Sequence, residues 1–136
     1  MSTLQIQGWI YERMIGQAQE GFPLEVCGIL GGRGNIVSAI HSMTNIDASG
    51  EHFTMEPHEQ FAVAKALRSA ELEMLAVYHS HPATPARPSE EDIRLARMPG
   101  ISYVIVSLAD FSAPEIRSFK ISGGRVDPEE IQIIGG

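Results

Sequence analysis

The spacing of apolar residues changes several times along this chain, and each change marks an element. Ile6, Ile10, Met14 and Ala18 recur every four residues with Trp9 alongside, which predicts an amphipathic helix that Gly21 ends. Beyond Pro23, the runs Val26 to Leu30 and Ile36 to Ile40 flank the turn-forming segment Gly31-Gly32-Arg33-Gly34-Asn35. Two short apolar runs around a glycine-rich turn predict a hairpin, and Glu25 then stands at the start of its first strand. Asn45 to Glu51 is polar and turn-like. Pro57, suited to a first helical turn, opens a second helix with Phe61, Ala64 and Leu67 on its apolar face.

Met74 to Tyr78 is short and continuously apolar, the pattern of a strand covered on both faces, and it runs straight into His79-Ser80-His81. Pro82, Pro85 and Pro88 stiffen the seven-residue connection that follows, and Ser89-Glu90-Glu91-Asp92 reads as the capped start of a third helix. Ile101 to Leu108 is another buried strand. Glu115 to Ile121 and Val126 to Ile134 form two more around Ser122-Gly123-Gly124, with Pro128 weakening the start of the last. No repeat, linker or low-complexity tract interrupts the 136 residues, so a single domain over 1–136 is expected. Its class is α/β (α+β), a mixed sheet packed by helices.

Composition narrows the functions open to such a domain. With 43% hydrophobic and 20% charged residues, the chain has the apolar content to bury a core. A net charge of -7 offers no general positive field for phosphates or an anionic membrane, which argues against a nucleic-acid or membrane partner. No run approaches the roughly 20 apolar residues of a spanning helix, and the first residues lack a basic stretch followed by an apolar one. The single cysteine, Cys27, has no internal partner for a disulfide. A cytoplasmic protein is the expectation.

Candidate chemistry gathers around the histidine pair. Successive strand side chains point to opposite faces, so His79 and His81 project to one side and Ser80 to the other, a geometry that suits one metal ion. Two exposed or hydrogen-bonded histidines is the plainer reading of the pair alone. Asp92, in the first turn of the next helix, could complete a three-ligand set of the kind catalytic zinc sites use; equally, it could be the capping-box partner of Ser89. The Ser89 hydroxyl likewise could cap the helix or donate to a developing oxyanion. Glu25 in isolation reads as a solvated strand end or an ion-pair member. His58-Glu59-Gln60-Phe61-Ala62 begins like a helical zinc-protease motif but has Ala62 where the second histidine belongs. Cys27 reads as a small buried residue, and His41 and His52 as surface or packing histidines.

Taken jointly, His79-Ser80-His81, seven residues, then Ser89-x-x-Asp92 reproduces the signature of the JAMM (MPN-plus) metalloproteases. Pro23 to Leu30 resembles the segment that carries this family's glutamate, and Thr44-Asn45 and Phe53 to Pro57 resemble its intervening landmarks, with Glu56-Pro57 where Asp-Pro is expected. The resemblance spans Pro23 to Leu108. It implies a curved mixed β-sheet flanked by helices, similar to the cytidine-deaminase architecture. It implies one Zn2+ per chain held by His79, His81 and Asp92, with Glu25 as general base and Ser89 stabilising the tetrahedral intermediate.

Only about ten residues separate Asp92 from the next strand, so the chain resembles the compact prokaryotic members, which implies a peptidase that trims a ubiquitin-like sulfur-carrier protein after its Gly-Gly. A strand-like tail could pair with an exposed sheet edge. An isopeptidase acting on lysine conjugates of ubiquitin-like modifiers is the alternative enzyme. A non-catalytic MPN-type scaffold is the other, and five matching positions argue against it. Ile134-Gly135-Gly136 resembles a carrier tail and is read as coincidence.

Overall fold

A computed structural model of the chain describes residues 2–135. Gly136, and with it the end of the Ile134-Gly135-Gly136 segment, lies outside the described residues. The elements run β1 (Thr3–Gln7), α1 (Gly8–Gly21), β2 (Cys27–Arg33), β3 (Ile36–Met43), α2 (Pro57–Ser69), β4 (Glu73–His81), α3 (Glu90–Leu95), β5 (Ser102–Ser107), β6 (Glu115–Ser122) and β7 (Arg125–Ile134).

Two expectations about these elements need correction. Ile6 belongs to β1 rather than to the first helix. Buried Leu4 and Ile6 alternate with half-buried Thr3, Gln5 and Gln7, a two-residue period whose last apolar position is also the first of the four-residue stripe. The second helix, α2, buries Val63 and Leu67, whereas Phe61 is 73% exposed and Ala64 faces water. Its rotation is set at its start. The Glu59 carboxylate accepts from the Thr44 N–H (2.6 Å) and hydroxyl (2.8 Å), and the Glu56 side chain caps the Glu59 N–H (2.7 Å). These polar anchors turn position 61 outward despite its ring.

The strands form one mixed sheet in the order β1-β3-β2-β4-β5-β6-β7, closed into a barrel by β7 pairing with β1. β1 runs parallel to β3 and β7, and β4 parallel to β5; the other pairs are antiparallel. Closure joins the two ends of the chain, a pairing with no local signal. Every strand has two neighbours, but β1 meets β3 only at Ile36 and Val37, so Ser38 to Met43 of β3 keep one edge without a partner strand among the described residues.

α1 touches β1, β3, β5 and β7 and buries Ile10, Met14 and Ala18 against Leu30, Ala76, Tyr78, Val104 and Val106. The other face of β2 and β4, with Cys27, Ile29 and Val77, packs under α2. Ile105, Phe119 and Ile121 pack with Ile93 and Ala96 of the α3 region. β4 is thus covered on both faces, as its continuous apolar run predicts. Gly28 is required beside it: a Cβ there would come within 2.3 Å of the Tyr78 ring, which lies across β2 and reaches Gln17 of α1 with its hydroxyl. Among the described residues, no helix is long and apolar enough to cross a membrane.

Candidate active site

The histidine pair closes β4, with both rings on the face away from α1. His79 is 4% exposed and His81 5% exposed, and their Nε2 atoms lie 3.1 Å apart. The proline-stiffened connection returns the chain so that Asp92, in the first turn of α3, sets Oδ2 at 3.2 Å from His79 Nε2 and 3.1 Å from His81 Nε2. The capping box expected for α3 is present in the same atoms. The Asp92 N–H donates to Ser89 Oγ (3.0 Å), and the Ser89 N–H donates to Asp92 Oδ2 (2.9 Å). Capping and convergence on the histidines are therefore compatible, because the cap fixes the rotamer that aims Oδ2 at the pair.

Glu25 precedes β2, and the ladder between β2 and β4 decides where it falls. Cys27 pairs with His79 in antiparallel register, so two residues further along Glu25 comes opposite His81 and on the same face. Ser80, pointing the other way, secures this register. Its N–H donates to the Val26 carbonyl (3.0 Å), and its Oγ accepts from the Val26 N–H (2.8 Å). The loop after β3 holds Glu25 itself: its N–H donates to Ser49 O (2.8 Å), and its carbonyl accepts from Asn45 Nδ2 (3.1 Å). Asn45 also donates to His52 O (3.2 Å) and accepts from the N–H groups of Asp47 and Thr54 (both 3.1 Å). One amide thus ties the loop to the acid. Asn45, Ser49 and Ser80 had no role assigned from sequence; the visible signal for Asn45 was an Asn between a strand and a polar turn, where its side chain commonly bonds to nearby backbone.

The resulting electrostatics are uneven. Glu25 is 5% exposed, and its Oε1 is buried without a hydrogen-bond partner. Burial pushes its pKa up to about 7, opposed by His81 and reinforced by Asp92. Burial also raises Asp92, but hydrogen bonds from His79 and His81 outweigh it and hold the carboxyl well below the usual carboxylate range. Burial lowers His79. At His81, burial acts in the same direction but is outweighed by the bonds to Asp92 and the Pro85 carbonyl, and its pKa is raised.

The donor set fits a metal ion. A carbonyl only accepts, so His81 Nδ1 must donate to Pro85 O (3.0 Å), and loss of the proton that Nε2 directs at Asp92 would leave Nε2 bare toward the centre for a cation. The His79 ring is fixed by stacking on Phe53, with centroids 4.6 Å apart. Two imidazole nitrogens and a carboxylate oxygen lie within 4.8 Å of one another, with an unpartnered acid alongside. That is the composition of a three-ligand site with an open position.

Other candidates take the roles expected of them. Cys27 is fully buried and burial pushes its thiol up to about 12, so it stays protonated and unreactive. His52 pairs with Asp47 and His58 with Glu56 at the surface, and His41 is half-buried on β3.

Residues 9–122 match the family described as prokaryotic homologs of the JAB domain. The chain belongs to the prokaryotic JAB family. Two curated relatives of this JAB protein are enzymes by name. It is 35% identical over 134 residues to the CysO-cysteine peptidase of Mycobacterium tuberculosis, covering 97% of this chain and 92% of the relative. It is 32% identical over 113 residues to the desampylase of Haloferax volcanii, covering 78% and 81%. A protein of Desulfitobacterium hafniense with a known solution structure is 43% identical, with a TM-score of 0.89 over 98% of this chain and 94% of that one.

The buried acid of this JAB domain has a measurable signature. Because its folded pKa lies above the ordinary value of 4.5, the folded metal-free protein holds the Glu25 proton more tightly than the unfolded chain does. Stability therefore falls as pH rises from about 4.5 to about 7. Glu25→Gln removes that loss, so the metal-free variant should exceed the metal-free wild type by up to about 3 kcal/mol at pH 8 and match it near pH 4. Denaturation at both pH values checks this; the same difference at both would mean that Glu25 is not desolvated.

Proposed function

We propose that this JAMM-type peptidase cuts the peptide bond after the Gly-Gly of a ubiquitin-like sulfur-carrier protein, using one zinc ion held by His79, His81 and Asp92. The observation that carries the reading is the unpartnered, buried Glu25 Oε1 on the same face of the β2–β4 ladder as the two histidines. A buried acid with no bond to make is costly to keep unless it serves a function at the site it faces. The relatives support the substrate class, since one is named for a peptidase reaction on CysO-cysteine and one for desampylation. A single buried thiol accords with a reducing compartment, and we place the protein in the cytoplasm.

A divalent ion held by this triad supplies Lewis acidity toward a carbonyl and toward water. The chain's own groups do the rest. Glu25 Oε1 takes a proton from the attacking water, and a pKa near 7 lets it both accept at neutral pH and release to the departing amine. Asn45 and Ser49 hold its backbone from both sides, so the carboxylate keeps its aim. Ser89 Oγ accepts from the Asp92 N–H through a lone pair, which leaves its own proton free to donate to the developing oxyanion. His81, fixed by Pro85, and His79, fixed by Phe53, keep Asp92 ionised.

The test is a carrier bearing a few residues after Gly-Gly, incubated with zinc-loaded protein and weighed by mass spectrometry. The expected product ends at Gly-Gly, and chelation should abolish its formation. Asp92→Ala should lose zinc, while Glu25→Gln should retain it and lose turnover by a factor of about 100 or more. An intact tail contradicts the substrate class, and equal zinc loss in both variants contradicts the division of roles.

Ser89 has two demands on it that separate cleanly. Ser89→Ala should lose about 1 kcal/mol of stability with the cap and about a hundredfold in turnover with the donor. Ser89→Asp keeps a capping acceptor but no proton to donate, so it should retain stability and still turn over slowly. Near-normal rates in Ser89→Asp would leave the serine a structural role alone.

A further inference from the structure

Beside the triad lies a cavity of about 470 Å³ whose wall includes His79 and Asp92 themselves. The rest of its lining is mostly apolar, with Phe53, Val77, Met98, Tyr103 and Ile105 among the contributors. Its outer wall is the last residue of α3 and the segment after it, with Leu95 and Met98 exposed. That wall is tied to β5, because the Tyr103 hydroxyl accepts from the Met98 N–H (3.2 Å) and donates to Met98 O (3.3 Å). The cavity is thus preformed rather than a gap between loose segments.

Diglycine cannot fill it. Glycine has no side chain, and a residue before the glycine pair stands about 7 Å or more from the scissile carbonyl at roughly 3.3 to 3.6 Å per extended residue. A cavity that begins at the ligands themselves is next to the scissile bond. The nearest side chain is that of the residue following Gly-Gly. Charge at the cavity points the same way. Arg97 lines it and has no ion-pair partner among the described residues, while the other charged group of the lining apart from Asp92, Glu91, pairs with Arg94 at 3.6 Å. An unpaired guanidinium beside an apolar hollow suits a large apolar residue that carries a free α-carboxylate. A lysine presented through an isopeptide bond would bring only an unbranched stem and leave most of the volume unfilled.

We infer that this cavity is the subsite for the leaving residue, taking one bulky apolar side chain whose terminal carboxylate meets Arg97. The inference rests on the proposed cleavage after Gly-Gly and adds the chemistry of the residue released by the cut. Glutamate and aspartate would place a second negative charge against the apolar wall, and alanine would leave it open.

The experiment uses zinc-loaded protein and one carrier body ending in Gly-Gly-Phe, Gly-Gly-Ala, Gly-Gly-Asp or Gly-Gly-Phe amide, with a lysine isopeptide conjugate of the same body. The kcat/KM for Gly-Gly-Phe should exceed those for the alanine and aspartate forms and the isopeptide by tenfold or more, and amidation should lower it severalfold. Arg97→Gln should bring the acid and amide forms to the same kcat/KM. Met98→Trp, at an exposed rim position, should collapse the ratio of phenylalanine to alanine toward one by occupying the cavity. Each ratio is internal to one variant, so partial misfolding does not mimic the result. Equal rates across the panel, a faster isopeptide, or ratios untouched by both substitutions would overturn the subsite while leaving cleavage after Gly-Gly intact. Failure to cut any of the five would remove the proposed function and this subsite with it.

Discussion

The antiparallel register between β2 and β4 is the constraint on which the site depends. Cys27 faces His79, and from that single pairing Glu25 arrives opposite His81. A slip of one residue would turn Glu25 to the opposite face, where α1 and the main core lie. Two devices resist the slip. On the core face the Tyr78 ring occupies the space that only Gly28 leaves open, and beyond the strand end Ser80 grips both polar groups of Val26. Chemistry on one face is thus held by packing and hydrogen bonding on the other.

Burial has opposite consequences for the two acids that this register and the proline loop bring together. Asp92 accepts hydrogen bonds from two imidazoles and the Ser89 N–H, so it stays ionised although enclosed. Glu25 has its backbone secured and its Oε1 left without a partner, so enclosure raises its pKa. The pair is a division of labour that environment alone produces: one carboxylate fit to hold a cation, the other fit to exchange a proton.

Much of this was visible in the chain, and what was hidden has identifiable causes. The apolar run into His79-Ser80-His81 specified a doubly covered strand, and two-residue alternation put the histidines on one face. Ser89-x-x-Asp92 announced its capping box. Glu25 was legible only through the family motif, because its position depends on a pairing across 54 residues of chain, as the Val26–Ser80 contact shows. β1 was hidden because Ile6 serves two periodicities, and the outward turn of Phe61 because Glu59 and Thr44 fix α2 from outside its apolar pattern. Barrel closure, the Asn45 clamp and the apolar cavity arise from contacts between distant segments, for which no local spacing exists.

The proposed zinc site draws on two histidines and one aspartate beside Glu25, with no sulfur. X-ray absorption at the zinc edge of the loaded protein tests it most directly. Nitrogen and oxygen neighbours alone are expected at about 2.0 to 2.2 Å, with the outer scattering of two imidazoles. A sulfur scatterer at about 2.3 Å would place Cys27, the sole cysteine and the residue paired with His79, in the coordination sphere and contradict it.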